Sequence, residues 1–80
     1  MVSVDFGSEF KKSYKKIKNR DVILKIKKQI RKIIENPEIG KPMQYSRKTT
    51  REVYISPYRL SYSYFNNKII FLSIYHKDFQ

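Results

Sequence analysis

The stretch of sequence that decides the fold is residues 58–75, YRLSYSYFNNKIIFLSIY. Two runs rich in aromatic and β-branched residues flank Asn66-Asn67, a pair that favours a tight turn because asparagine tolerates positive φ. The pattern therefore predicts a β-hairpin with strands 58–65 and 68–75. Upstream, apolar Val53 and Ile55 alternate with polar neighbours, which predicts a further strand over residues 52–56, ended by Pro57.

Counting outward from the turn assigns each strand residue to one face of the sheet. With Phe65 opposite Lys68, a regular ladder predicts the pairs Tyr62–Phe71, Arg59–Ile74, Tyr58–Tyr75 and Pro57–His76. This register predicts that Arg59 and His76 share a face near one end of the hairpin. Both faces carry apolar residues, so a single helical layer leaves apolar surface exposed, which is typical of a binding site. The pattern does not decide which face the helices cover.

The N-terminal part of the chain predicts a short strand followed by a helix. Residues 2–6 alternate between apolar and polar types and predict the first strand. Phe10, Tyr14 and Ile17 recur at helical spacing, which predicts a helix over residues 9–18. Ser8 is the expected N-cap of this helix because its hydroxyl can accept a hydrogen bond from a free backbone N–H.

A second helix follows after two or three residues. Either Asn19 or Asp21 can cap it, and Pro37 ends it because proline lacks the backbone donor that a helix needs. Its apolar stripe consists of Ile23, Ile26, Ile30, Ile33 and Ile34. The short connection predicts that the two helices form an antiparallel hairpin.

Together these elements predict a single α+β domain over residues 1–80. The expected order is an N-terminal strand, an antiparallel helical hairpin and a three-stranded antiparallel meander. The result would be a roughly four-stranded sheet with the helices on one face.

Composition narrows the class of partner. Eighteen Lys and Arg against seven Asp and Glu give a formal net charge of +11, which favours polyanions and makes association sensitive to salt. The chain has no cysteine, so a disulfide framework or thiolate metal site is excluded, and we expect no metal or cofactor. The longest apolar run is residues 69–72, and no signal peptide is recognisable, so we expect a cytoplasmic protein without a membrane span.

Three segments carry a resemblance to a known family. Residues 52–64, EVYISPYRLSYSY, resemble the central hairpin of the RelE/ParE toxin superfamily, in which a Tyr-Arg-Leu/Ile step enters an alternating strand. Residues 69–77, IIFLSIYHK, are similar to its last strand, and residues 40–43 to its loop after the second helix. The resemblance implies the toxin of a type II toxin–antitoxin module, closest to the RelE-like branch. RelE-like members cleave mRNA in the ribosomal A site, whereas ParE-like members inhibit DNA gyrase.

The RelE-like pattern implies candidate catalytic residues for metal-independent RNA cleavage by attack of the 2′-OH. Arg59 stands where the family binds the phosphate, and a guanidinium suits that task because its fork stays charged. His76, the only histidine, stands where many members place a basic or imidazole group, and it suits acid or base work. Glu52 can act as a base, or it can form a salt bridge with a nearby basic residue.

Further residues are candidates for binding RNA, namely Arg47, Lys48, Arg51 and Lys77 for phosphates and Phe79, Tyr54 and Tyr58 for stacking on bases. The chain departs from the family at Glu52 and Tyr54, where RelE carries lysines. It also departs at its end, where Phe79 is the residue nearest to the usual terminal tyrosine. Tyr54, Tyr58 or Tyr75 can substitute for that tyrosine. The basic helices are either a solvated surface or a docking surface for ribosomal RNA.

Three functions stay open at this point. The first is a ribosome-dependent mRNA endoribonuclease that stops translation and is held inactive by an acidic antitoxin with an amphipathic segment. Its other partners would be mRNA and ribosomal RNA. The second is a ParE-like gyrase inhibitor, and the third is a non-catalytic basic module that binds nucleic acid. A membrane-surface protein is the weakest alternative, because the helices use their apolar stripes for a core.

Overall fold

The computed structural model describes residues 2–43 and 49–76. Its elements are β1 (Ser3–Phe6), α1 (Ser8–Lys16), α2 (Arg20–Glu35), β2 (Lys41–Pro42), β3 (Thr50–Ile55), β4 (Tyr58–Phe65) and β5 (Lys68–His76). The five-stranded sheet has the order β1-β5-β4-β3-β2, with β1 parallel to β5 and the other neighbours antiparallel. The predicted α+β architecture is confirmed, and β2 adds a short edge strand to the expected sheet. No helix within the described residues is long and apolar enough to cross a membrane.

The two helices begin in different ways. The N-cap of α1 is Gly7, which has extended φ and ψ and no side-chain cap, so the prediction of Ser8 as the N-cap is wrong. Gly7 N–H donates to the carbonyl oxygen of Phe71 at 2.8 Å. This bond fixes Gly7 at the end of β1, so the helix begins with Ser8. In α2, the Asn19 side chain accepts from the backbone N–H groups of Asp21 and Val22, so of the two predicted caps, Asn19 and Asp21, the structure selects Asn19.

The core lies between the helices and one face of the sheet. Its buried members are Phe10, Ile17, Val22, Ile26, Ile33, Ile55, Leu60, Tyr62, Ile69, Phe71 and Ile74. Phe71 lies at the centre of an aromatic cluster, with its ring centroid 5.3 Å from Phe6, 5.8 Å from Phe10 and 6.1 Å from Tyr62. One predicted core residue, Ile34, is instead 37% exposed, because α2 faces the sheet with the side that carries Ile26 and Ile33.

The hairpin starts as predicted and then changes register. Asn66 and Asn67 form the turn with φ of 51° and 63°, and Phe65 lies opposite Lys68. A β-bulge at Leu72 then leaves one residue of β5 without a partner. The pairs beyond it are Ser61–Ser73, Leu60–Ile74, Arg59–Tyr75 and Tyr58–His76. The predicted pairs Arg59–Ile74, Tyr58–Tyr75 and Pro57–His76 are therefore wrong.

The bulge has a physical cause in the apolar run of β5. Ile69 and Phe71 point into the core at the spacing of a regular strand. Ile74, which is 5% exposed, lies three residues after Phe71, so it reaches the same face only when one extra residue is accommodated. Burying this isoleucine contributes about 1.5–3 kcal/mol, which outweighs a local loss of ladder hydrogen bonds. The helices therefore cover the face that carries Leu60, and the opposite face is open.

The loop after α2 is tied to the hairpin by one buried hydroxyl. Tyr62 Oη donates to the carbonyl oxygen of Pro37 at 2.7 Å and accepts from Gly40 N–H at 2.9 Å. Burial raises the pKa of Tyr62 above its ordinary value, so the hydroxyl stays protonated and can donate. A Cβ on residue 40 would lie 2.5 Å from this oxygen, which explains the glycine. Arg51 adds bonds from Nη1 to the carbonyl oxygens of Glu38 and Gly40.

We predict that Tyr62→Phe lowers the free energy of unfolding by about 1–3 kcal/mol, because it leaves the Gly40 N–H and the Pro37 carbonyl without this partner in the interior. Urea denaturation monitored by circular dichroism measures the change. Tyr14→Phe, in α1 and outside this loop contact, is the matched control. Equal stability of the two variants would contradict an anchoring role for the Tyr62 hydroxyl.

Candidate functional site

The open face of the sheet carries two neighbouring rows of polar side chains across β3, β4 and β5. Residues directly opposite each other in paired strands lie on the same face. The register therefore defines one row as Tyr54, Arg59 and Tyr75, and the next as Lys41, Glu52, Ser61 and Ser73. In the second row the Ser61 and Ser73 hydroxyls hydrogen-bond each other at 2.9 Å. The two rows place an acid, an arginine and a tyrosine in contact.

Glu52 is the centre of this cluster. Its Oε1 accepts from Arg59 Nη1 at 2.8 Å, and its Oε2 accepts from the Tyr75 hydroxyl at 2.6 Å. The Glu52 side chain is only 18% exposed, against 33% for Arg59. The two donors fix the carboxylate in one orientation, with each oxygen retaining a further lone pair. We define Glu52, Arg59 and Tyr75 as the open-face cluster.

Arg59 has donor capacity left over. A guanidinium carries five N–H donors, and the bond to Glu52 uses only one of the nitrogens. Arg59 Nε is buried and has no hydrogen-bond partner among the described residues. A buried donor without a partner is costly, but this nitrogen is enclosed by protein, so an anion meets the outer guanidinium nitrogens of the partly exposed side chain instead. The arginine therefore pairs with Glu52 while it still offers part of its fork to an anion.

Tyr75 is held as a neutral donor. Burial, the hydrogen bond to Glu52 and the negative charge of Glu52 together raise the pKa of Tyr75 from 10.0 to about 12, and the positive charge of Arg59 opposes them only in part. The hydroxyl therefore stays protonated throughout the physiological range. It can give up its proton only when a stronger base, such as a departing alkoxide, approaches it.

His76 does not join this cluster, so the prediction that Arg59 and His76 share a face is wrong. His76 pairs with Tyr58, one position away from the Arg59–Tyr75 pair, and successive residues of a strand point to opposite faces. The His76 ring packs edge-on against the Tyr58 ring, with centroids 5.6 Å apart, on the side of the sheet that α1 covers. The bulge at Leu72 is the reason, because it turns every residue after it to the other face.

The other predicted site residues lie in three kinds of place. Tyr54 is 55% exposed in the row of Arg59, whereas Tyr58 lies with His76 on the covered face. Arg51 pairs with Tyr62, so it also belongs to the covered face, and it binds loop carbonyls there. The predicted RNA-binding residues Arg47, Lys48, Lys77 and Phe79 lie outside the described residues.

Sequence reasoning missed one cation of the site. Lys41 lies directly opposite Glu52 because β2 pairs with β3, and its position is exposed. Only two residues form β2, and so short a strand gives no periodic signal. A clue exists in Pro42, since proline is tolerated on edge strands. The described residues contain no group of three His, Cys, Asp or Glu side chains that could hold a metal ion.

The comparisons with known proteins agree with this architecture. Residues 4–80 match the family model described as "ParE toxin of type II toxin-antitoxin system, parDE", and the chain belongs to this family. It is thus the toxin of a type II toxin–antitoxin system within the RelE/ParE superfamily. No curated protein matches the chain.

Solved toxin structures share the fold at low sequence identity. The chain is similar to a chain of the intact E. coli RelBE toxin–antitoxin complex, with a TM-score of 0.81, 20% identity and coverage of 95% of this chain and 96% of that one. It is similar to YafQ from E. coli strain BL21(DE3), with a TM-score of 0.81, 20% identity and coverage of 98% and 96%. It is also similar to the YoeB dimer from Staphylococcus aureus, with a TM-score of 0.78, 19% identity and coverage of 94% of this chain and 95% of that one.

We predict that Tyr75 is the tyrosine whose ionisation responds to Glu52. The difference in phenolate absorbance between the wild type and Tyr75→Phe should show a midpoint near pH 12, and Glu52→Gln should lower that midpoint because it removes the negative charge. Since the folded pKa exceeds the unfolded value of 10.0, the hydroxyl stabilises the fold below pH 10 and this contribution is lost as the pH rises to about 12. If the midpoint is the same in Glu52→Gln as in the wild type, the hydrogen bond between Tyr75 and Glu52 is contradicted.

Proposed function

We propose that this toxin is an endoribonuclease that cleaves mRNA on the ribosome and thereby inhibits translation. The observation that carries the proposal is the open-face cluster, in which one carboxylate is bonded to both a guanidinium and a phenol. Metal-independent cleavage of RNA needs a base for the 2′-OH, a cation for the phosphate and an acid for the 5′ leaving oxygen. The three side chains supply one group for each task.

In the first half of the reaction, Glu52 accepts the proton of the 2′-OH, and the 2′-oxygen attacks the adjacent phosphorus. Arg59 stabilises the charge that develops on the non-bridging oxygens, using the donors that Glu52 leaves unoccupied. Lys41, opposite Glu52 in the register, adds positive charge on the same side of the site. Glu52 therefore orients the arginine in the free protein and acts as a base when RNA is bound.

In the second half, the bond to the 5′-oxygen breaks and Tyr75 gives that oxygen a proton. The Tyr75 oxygen then takes up the proton that Glu52 has accepted, across the 2.6 Å hydrogen bond between them. The products are a 2′,3′-cyclic phosphate and a free 5′-OH, and both side chains return to their starting protonation. The raised pKa of Tyr75 fits this role because the phenol keeps its proton until the alkoxide forms.

Two further observations support a ribosomal site of action. The net charge of +11 steers the protein towards RNA, and more than half of the Lys and Arg residues lie on the two helices. The resemblance of residues 52–64 and 69–77 to RelE-like toxins implies the same substrate. Such an activity belongs in the cytoplasm, where ribosomes translate mRNA.

We predict that Glu52→Gln, Arg59→Lys and Tyr75→Phe each slow cleavage by on the order of 10²-fold to 10⁴-fold, while the fold is retained. His76→Gln should leave the rate close to that of the wild type, because the imidazole lies on the covered face. Mapping mRNA 5′ ends after induction measures the cleavage. Glu35→Gln, a carboxylate removed at an exposed position in α2, is the control.

Three outcomes would overturn parts of this proposal. Loss of cleavage in His76→Gln with normal cleavage in Tyr75→Phe would remove Tyr75 as the acid. Intact mRNA together with stalled replication would instead indicate a gyrase inhibitor, the alternative that the family model's name favours. Binding of RNA without cleavage under any condition would indicate a non-catalytic module.

We also propose where the antitoxin binds. A groove of about 570 Å³ runs between the helices, with an apolar floor and a basic rim. The floor consists of Phe6, Phe10, Tyr14 and Ile30, and the rim consists of Lys11, Lys15, Lys27 and Arg31. Phe6 is 42% exposed, so the floor is open to a partner. An acidic amphipathic segment fits this groove, with its apolar side on the rings and its carboxylates on the rim.

We predict that Lys27→Glu combined with Arg31→Glu weakens antitoxin binding by more than tenfold, because like charges replace the complementary rim. Calorimetric titration of the purified antitoxin measures the affinity. Lys12→Glu combined with Lys18→Glu makes the same change in net charge at positions that do not line the groove. If both double variants lose the same antitoxin affinity, the loss is due to net charge alone, and binding in this particular groove is contradicted.

A further inference from the structure

We infer that one side of α2, together with Tyr54, binds the RNA strand that flanks the cleaved phosphodiester. The inference rests on the proposed function and adds a second surface to it. We define this surface, the α2 track, as Lys25, Lys28, Lys32 and Tyr54. Single-stranded RNA is the occupant, with its phosphates on the lysines and one base stacked on the tyrosine ring.

The α2 track lines a concave surface. A cavity of about 240 Å³ lies between α2 and the edge of β3, lined by Lys25, Lys28, Gln29, Lys32, Tyr54, Ile55 and Ser56. The three lysines recur at intervals of three and four residues, so they lie one above the other on the same side of the helix. Within residues 2–43 and 49–76, no acidic residue lines the cavity. The lysines therefore present a row of positive charge that no carboxylate in the lining neutralises.

The α2 track is continuous with the open-face cluster. Tyr54 lies directly opposite Arg59 in the register, so the two side chains are neighbours on the open face. Among the described residues, β2 pairs with Arg51 and Glu52 alone, so this part of the chain places no strand beside the second half of β3 on that side. A strand of RNA held at Arg59 can therefore leave the site over Tyr54 and pass along the helix.

The chemistry of the lining favours RNA over a protein segment. The groove proposed for the antitoxin, on the other side of α2, has four apolar side chains as its floor. The α2 track has lysines and one exposed tyrosine, with Ile55 buried beneath them. Aromatic rings that stack on bases within a positive groove are the common means of binding single strands without strict sequence preference. An amphipathic protein segment would find little apolar surface to bury here.

The test measures binding of a short single-stranded RNA with 2′-O-methyl sugars to the full chain, which excludes cleavage because the attacking hydroxyl is blocked. Lys25→Gln, Lys28→Gln and Lys32→Gln are combined in one variant. Three lost phosphate contacts should reduce the slope of log K against log salt by about 2. Lys12→Gln, Lys16→Gln and Lys18→Gln, in α1 and just after it, remove the same charge at positions that line neither groove. They should leave the slope unchanged, because α1 packs mainly against β5.

A second measurement tests the tyrosine. A photoreactive thiouridine placed next to the protected phosphodiester should crosslink to Tyr54, and Tyr54→Ala should weaken binding several-fold while Tyr54→Phe retains it. Equal salt slopes in the two triple variants, or crosslinks confined to α1, would overturn the α2 track even if cleavage occurs. Loss of antitoxin binding with unchanged RNA binding in the α2 variant would assign the surface to an acidic protein instead. If the α2 triple variant reduces the slope of log K against log salt but the wild type never cleaves RNA, the α2 track is supported and the proposed nuclease activity is contradicted.

Discussion

The arrangement of the functional face depends on the β-bulge at Leu72. Before the bulge, β5 sends Ile69 and Phe71 into the core, and after it Ile74 enters the core opposite Leu60. The same extra residue turns Tyr75 outwards, where its hydroxyl reaches Glu52. Without the bulge, Tyr75 would point at the helices and Ile74 at the open face. One local irregularity thus serves both the core and the site.

Contacts from the other end of the chain support this irregularity. Gly7 donates to the carbonyl oxygen of Phe71, next to the bulge, and a Cβ on residue 7 would lie 3.1 Å from that oxygen. The absence of a side chain lets the start of α1 approach the bulged backbone closely. The Phe71 ring, in contact with Phe6 and Phe10, connects β1 and α1 to the same point. The position of the bulge is therefore held by tertiary contacts and not by the hairpin alone.

Helix α2 has one buried apolar side and two basic sides. One side of the helix, with Val22, Ile26 and Ile33, is buried in the core. The two flanking sides are both basic, but they differ in what surrounds the cations. Lys27 and Arg31 border aromatic rings and Ile30, whereas Lys25, Lys28 and Lys32 border Tyr54 and the strand edge. Two surfaces of the same sign can therefore suit different partners, because their apolar content differs.

The sequence alone determined every element except β2, the order of these elements and the hairpin turn. These features follow from local properties, namely the hydrophobic period and the tolerance of asparagine for positive φ. The sequence also singled out Glu52 and Arg59, and it raised a salt bridge from Glu52 to a nearby basic residue, whose identity as Arg59 only the structure shows. The bulge was not predictable from the sequence, because residues 69–72 are all apolar and fit either register. Only the burial of Ile74 in the core distinguishes the two registers. Only the tertiary structure decided that Tyr75, and not His76, lies beside Arg59, and that Lys41 lies beside Glu52. Those choices depend on packing between segments that are distant in the chain, which local patterns do not encode.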